Sequence, residues 1–246
     1  MKTKKVINNT LDEHVSIYER QNPYDYDNSI ILNWYPRRVV EQAKNSNSIL
    51  ELGLGHGYTA EIFANYFKRH VILEGSSAVI ENYKNLFPNS TPLIIETYFE
   101  NFETDEKFDI IVMGFILEHV DNPLQVMAHF KNFLSPTGKM FITVPNAEAL
   151  NRRLGYYAGI LSDLEHLSEN DIISGHKRYY TVDSLTSEIK SIGFKIEKIE
   201  GIYLKPFTTK QMLSLNFDEK IINALCIAGI DYPELSLGIL VVLKLN

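Results

Sequence analysis

The stretch Ile49-Leu50-Glu51-Leu52-Gly53-Leu54-Gly55-His56-Gly57-Tyr58 leaves this chain few folds to choose from. An apolar run ends in a carboxylate, glycines follow at every second position, and a helix-like segment comes next. A strand that feeds a glycine turn and then a helix start is a nucleotide-binding device. Glycine lets a ligand approach bare backbone, and the helix start offers free N–H groups. The usual dinucleotide fingerprint puts its third glycine three residues after the second. Here it falls two residues after, and Tyr58 stands where that fingerprint needs glycine. Glu51 also precedes the turn. The pattern therefore points away from a pyrophosphate and toward a ligand that lacks phosphate and carries positive charge.

From residue 48 onward, strand-like and helix-like runs alternate. The strand-like runs are Ser48–Leu52, His70–Glu74, Pro92–Glu96, Asp109–Gly114, Lys139–Val144, Phe194–Tyr203 and Leu237–Leu245. The helix-like runs are Thr59–Lys68, Ser77–Phe87, Pro123–Leu134 and Val182–Ile192, with Ser76 and Thr181 placed as N-caps and Gly193 as a C-terminal stop. Alternation of this kind predicts a parallel sheet covered on both faces. Residues 1–45 read as an N-terminal cap, helical over 12–45, on a single domain covering 1–246, and 46–144 as its cofactor-binding core. Two stretches break the rhythm: 145–180, a substrate lid, and 205–234, one or two apolar helices within the C-terminal half 181–246. Long insertions into such a fold carry its specific function or cover its site.

Composition narrows the partners. A net charge of −7 argues against general attraction to nucleic acid or an anionic membrane. The lone Cys226 excludes an intramolecular disulfide and a Cys-rich metal site, and we expect no metal. The basic start is followed by Asn8, Asn9 and Thr10 in place of a signal-peptide core, and Leu235 to Leu243 is about half of a membrane span. The expected location is the cytoplasm.

Ligands of open parallel sheets bind at the carboxyl ends of the strands. After the second strand-like run come Glu74, Gly75 and Ser76, with the Glu74 carboxylate roughly 20 residues past the turn, where it can accept both hydroxyls of a ribose. After the third come Tyr98, Phe99 and Glu100. After the fourth comes Gly114 to Pro123, which contains Leu117-Glu118-His119. With these residues in place the chain resembles the class I S-adenosylmethionine-dependent methyltransferases of small-molecule type, including bacterial enzymes that modify sugars and capsule precursors. The resemblance covers about residues 45–200. It rests on Glu51-Leu-Gly53-Leu-Gly55-His-Gly57, Glu74, the run from Phe108-Asp109 to Leu117-Glu118-His119-Val120, and Leu134-Ser-Pro-Thr-Gly138.

The resemblance implies a doubly wound, seven-stranded, mostly parallel Rossmann-like sheet whose last strand is antiparallel. It implies S-adenosyl-L-methionine as cofactor. Glu51, Gly53, Gly55, His56 and Gly57 would hold the methionine end, Glu74 with Gly75 and Ser76 the ribose, and Tyr98 to Glu100 the adenine. Gly114 and Leu117 would line the methionine side, with His119 close by. Where this chain has Tyr98, family members often carry Asp for the adenine amine, so that contact falls to backbone, to Glu100, or to packing by Tyr98 and Phe99.

The acceptor is expected at the lid. Arg152, Arg153, His166, His176, Lys177 and Arg178 concentrate there, beside Tyr156, Tyr157, Tyr179 and Tyr180. Arginine forks suit an anionic acceptor such as a nucleotide-linked sugar, a phosphoryl compound or a carboxylate. His176 is the first choice for a base and His119 the second, with transfer most often to oxygen. The alternatives are N-methylation of an amino sugar, a nicotinamide-dependent oxidoreductase, which the glycine spacing disfavours, and a cofactor-binding scaffold without chemistry. The apolar face of 205–234 is expected to pack on the body, or else to form a homodimer. Tyr18, Tyr24 and Tyr26 are candidates to close over the cofactor.

Overall fold

The structure, a computed structural model, describes residues 25–246; Tyr18 and Tyr24 lie outside the described residues. Seven strands form one sheet: β1 Ser48–Leu52, β2 Arg69–Glu74, β3 Leu93–Glu96, β4 Phe108–Gly114, β5 Leu134–Pro145, β6 Phe194–Ile202 and β7 Gly238–Leu245. Their spatial order is β3-β2-β1-β4-β5-β7-β6. The pairs among β1 to β5 are parallel, and β7 runs antiparallel between β5 and β6. This is the doubly wound, mostly parallel sheet that the alternation predicts.

Nine helices accompany it among the described residues: α1 Asp25–Gln42, α2 Tyr58–Ala64, α3 Ser77–Leu86, α4 Pro123–Lys131, α5 Leu150–Tyr157, α6 Glu169–Ile173, α7 Val182–Ser191, α8 Thr209–Leu215 and α9 Glu219–Gly229. One sheet face buries Leu50, Val71, Ile111, Met140 and Val241 with Val126 and Phe130 of α4 and Leu185 and Ile189 of α7. The other buries Ile49, Ile110, Val112, Phe141 and Val242 with Tyr35 and Val39 of α1, Phe63 of α2, and Met212 and Cys226 of α8 and α9. Alternate residues of β1 and β4 thus enter opposite cores, as period-two side chains must. No helix among the described residues is long and apolar enough to cross a membrane.

Ser76 accepts a hydrogen bond from the Val79 N–H, Thr181 forms a capping box with Ser184, and Gly193 takes φ 73°. These are the caps and the stop expected from sequence. Several boundaries moved. The helix expected to reach Leu134 ends at Lys131, and β5 begins at Leu134 instead of Lys139. Leu134 pairs with Phe108, and a register shift between Phe108 and Ile110 absorbs the residues between. The helix after the glycine turn stops at Ala64 instead of Lys68, because Asn65 caps it and Phe67 folds back into the core.

Both insertions are helical. The second places Met212, Cys226 and Gly229 against the body. Gly201 of β6 allows that approach, since a Cβ there would lie 2.3 Å from the Gly229 carbonyl oxygen. Burial pushes the Cys226 thiol up to about 12, which makes it an inert core residue.

Candidate active site

The glycine turn joins β1 to α2 with left-handed backbone at Gly53, Gly55 and Gly57. A Cβ on Gly57 would meet the Tyr83 ring at 2.5 Å, so both conformation and space demand glycine there. Glu74, at the end of β2, fastens the turn: its carboxylate accepts the Leu54 N–H at 3.0 Å and the Ser76 N–H at 2.8 Å. A carboxylate oxygen can accept more than one hydrogen bond. Ser76 is buried and spends its hydroxyl on the α3 cap. The His56 ring stacks on Tyr58 and lies 3.4 Å from the Asn28 amide, and burial lowers its pKa below the usual histidine value.

Glu51 lies near the end of β1, just before the turn. It is buried, accepts from the Thr59 hydroxyl, and pairs with His70 Nε2 at 2.9 Å. It therefore fixes the floor of the turn. Tyr35 of α1 joins this floor through Thr59, and its Oη packs over the Cα of Gly114 at the end of β4. The sequence reading missed Tyr35, Thr59 and His70. Tyr98 and Phe99 begin a short 3₁₀ turn after β3, and the Phe99 ring packs edge-on against Phe130. The Leu117 side chain belongs to the core.

On the acceptor side, the segment before α7 is stitched to the loop after β4. The Lys177 N–H donates to the Glu118 carbonyl at 2.8 Å, and Arg178 Nη1 donates to the carbonyls of Leu117 and Val120. Lys177 Nζ also pairs with Asp121. This seam brings the His119 and His176 rings to 4.8 Å, nearly perpendicular. Glu118, His119 and His176 each present one ligand atom, all within 4.8 Å of one another, a spacing that a small cation could bridge. Asp171 of α6, also missed from sequence, stands behind His176: its carboxylate is 3.5 Å from Nδ1 and accepts from the Tyr179 hydroxyl at 3.1 Å. The Ser168-x-x-Asp171 capping pattern was the signal available for it. Burial lowers the His176 pKa, against the opposing pull of Asp171, so the ring is neutral at pH 7.

The arginines differ from expectation. Arg152 donates to the carbonyls of Ala147, Leu164 and His166 and lies 4.2 Å from the Tyr179 ring centroid. Arg153 donates to the Glu148 carbonyl and pairs with the Glu148 carboxylate. These forks hold the lid together, because irregular backbone needs donors that its own turns do not supply. Tyr156 and Tyr157 are exposed, as is His166. The structure brings together His119, His176, Lys177 and Arg178, and leaves Tyr156 and Tyr157 facing solvent.

Fold and site define a class I methyltransferase. The family model described as "Methyltransferase domain" matches residues 18–199, and the chain belongs to that family. The ubiquinone biosynthesis O-methyltransferase of Parvibaculum lavamentivorans is 29% identical over 115 residues, covering 46% of this chain and 44% of that protein. The chain thus spans less than half the length of that relative. The protein of the same name from Rhodopseudomonas palustris is 23% identical over 175 residues, covering 69% of this chain and 67% of that protein. Among solved structures, an S-adenosylmethionine-dependent methyltransferase from Clostridium acetobutylicum has TM-score 0.59 at 14% identity, covering 97% of this chain and 100% of that one. The N-methyltransferase NodS of Bradyrhizobium japonicum has TM-score 0.61 at 13% identity, with the same coverages. At these identities the structural likeness is one of fold.

Proposed function

We propose that this protein transfers a methyl group from S-adenosylmethionine to oxygen on a small acceptor docked against His119 and His176. The observation that carries the reading is the seam from Leu117 to Arg178, which sets two histidines together at the loop after β4, whose Ile116 lies against Gly53 of the glycine turn. When bound, the cofactor supplies an electrophilic methyl group on a sulfonium. The glycine turn offers bare backbone, Glu74 acceptor oxygens for a ribose, and Tyr98 and Phe99 an aromatic flank for a base. No covalent enzyme intermediate is needed, and alignment alone can lower the barrier by up to about 7–11 kcal/mol. A neutral hydroxyl must lose its proton, and His176, uncharged and backed by Asp171, is built to receive it.

The O-methyltransferase names of the sequence relatives favour oxygen over nitrogen. An anionic acceptor has weaker support, because the forks of Arg152 and Arg178 are spent on backbone carbonyls. A capsule or cell-surface sugar precursor rests on the family resemblance alone. A cytoplasmic location belongs to the same proposal, as does a homodimer through the exposed side of α8 and α9, where Leu213, Ile221 and Ile227 face solvent.

His176→Ala should lower turnover by about 10²–10⁴-fold, the usual worth of a positioned proton acceptor. Affinity for S-adenosylhomocysteine, read by calorimetry, should stay nearly unchanged. Collapse of cofactor binding in this variant would show that His176 belongs to the cofactor site instead.

A further inference from the structure

We propose that Glu118, His119 and His176 bind a divalent transition cation of the zinc type, with a position left for an oxygen of the acceptor. Only the acceptor's part rests on the methyl-transfer reading above; cation binding stands on the side chains themselves. Glu118 and His119 are neighbours in the loop after β4, and His176 comes from the segment before α7. The Lys177 N–H, donated to the Glu118 carbonyl, joins the two segments. One ligand atom from each of the three side chains lies within 4.8 Å of the other two.

A second observation points to a ligand. The Glu118 carboxyl group is fully buried, and no other residue hydrogen-bonds either of its oxygens. A buried carboxyl group without partners is costly. The basic side chains of the same seam do not relieve it. Lys177 Nζ pairs with Asp121, and Arg178 donates to the carbonyls of Leu117, Val120 and Asp121. A cation supplies both the opposite charge and the missing contact. The two histidines are partly exposed, so an ion can reach the carboxylate from solvent past their rings.

The donor set selects the ion. Two imidazoles and one carboxylate form a catalytic zinc set, which keeps a further position for water or substrate. Magnesium and calcium take oxygen ligands and are poorly served by imidazole. The single cysteine argues only against a sulfur-rich site. Zinc bonds of about 2.0–2.2 Å put two ligands of one ion at most about 4.3 Å apart. The 4.8 Å spread is little wider, and rotation of two partly exposed rings closes it. Asp171, 3.5 Å from His176 Nδ1, is placed as the outer carboxylate that orients a ligating imidazole. A bound cation lowers the pKa of a hydroxyl it holds. In the loaded protein His176 therefore holds the ion that ionises the acceptor, and it receives the proton itself only when no ion is bound.

The test is a calorimetric titration of zinc into the chelator-stripped full chain, as wild type, Glu118→Gln and His119→Gln, with magnesium as the control ion. The wild type should take one zinc ion per chain, and the His119 and His176 ring resonances should shift to the same end point. Each variant should bind zinc at least about a hundredfold more weakly, since loss of even an outer partner costs up to that much. Should Glu118→Gln fail to fold, His119→Gln, at a partly exposed position, gives the same answer. The proposal is overturned if the wild type binds no zinc, if it prefers magnesium, if the variants keep the wild-type affinity, or if the two rings are unmoved as zinc binds. Failure of the wild type to bind S-adenosylhomocysteine would instead sink the methyl-transfer reading, and the zinc stoichiometry does not depend on it.

Discussion

Gly114→Ala should destabilise the protein by about 3 kcal/mol, at the upper end of what overpacking a core costs. The added Cβ would sit 2.1 Å from Tyr35 Oη and 2.8 Å from its Cζ. Tyr35 has nowhere to go. It is 2% exposed and packed among Val39, Phe63 and Val112, with its hydroxyl on Thr59. Thr59 in turn holds Glu51, which pairs with His70, so a displaced ring loosens the floor of the glycine turn. Cofactor affinity should therefore fall along with stability. Tyr35→Phe in the Gly114→Ala background should recover only part of the loss, because the ring carbon at 2.8 Å remains. Urea unfolding midpoints of the single and double variants measure this directly. An alanine variant as stable as the wild type would mean that Tyr35 is not seated over the end of β4.

Lys205→Met should cost about 3–5 kcal/mol, the loss expected when one partner of a buried ion pair is removed. Lys205 Nζ donates to Asp27 at 2.6 Å and to the Thr209 hydroxyl at 2.7 Å, and both charged side chains are almost completely buried. This is the one clasp of its kind among the described residues that ties the start of α1 to the segment between β6 and α8. Removing the ammonium leaves the Asp27 carboxylate buried, with Thr209 as its remaining hydrogen-bond donor. Amide exchange in α1 should accelerate more than exchange in β1 or β4. Replacing both partners, Asp27→Leu with Lys205→Met, should restore most of the stability, since two apolar side chains leave no orphaned charge. A double variant as unstable as the single one would show that the site requires the ions themselves.

Much of the fold was legible because its signals are local. The glycine spacing fixed the β1–turn–α2 unit, and the caps at Ser76 and Thr181 marked helix starts through side chains a few residues from their targets. The end of α4 was misjudged because Val126, Phe130, Phe133 and Leu134 keep a helical apolar period past the point where Leu134 leaves to pair with Phe108. The site was half legible. His119 and His176 stood out by residue type, and the seam that joins them has the arginine and lysine seen in sequence. What the lid arginines bind was hidden, since no sequence pattern shows which carbonyls a loop leaves unpaired. Tyr35 and Asp171 acquire meaning only through partners brought together by the sheet and the lid.

On the proposed function, the turn from Gly53 to Gly57 holds the methionine end of S-adenosylmethionine and Glu74 holds its ribose. Calorimetric titration of S-adenosylhomocysteine into the wild type and Glu74→Gln, with NAD as the control ligand, tests it most directly. One molecule should bind per wild-type chain. The variant should bind roughly ten- to a hundredfold more weakly, because hydrogen bonds to a charged group are worth about 1.5–3 kcal/mol. NAD should give no heat. Binding of NAD in place of S-adenosylhomocysteine, or an affinity for S-adenosylhomocysteine that ignores Glu74, would contradict the assignment.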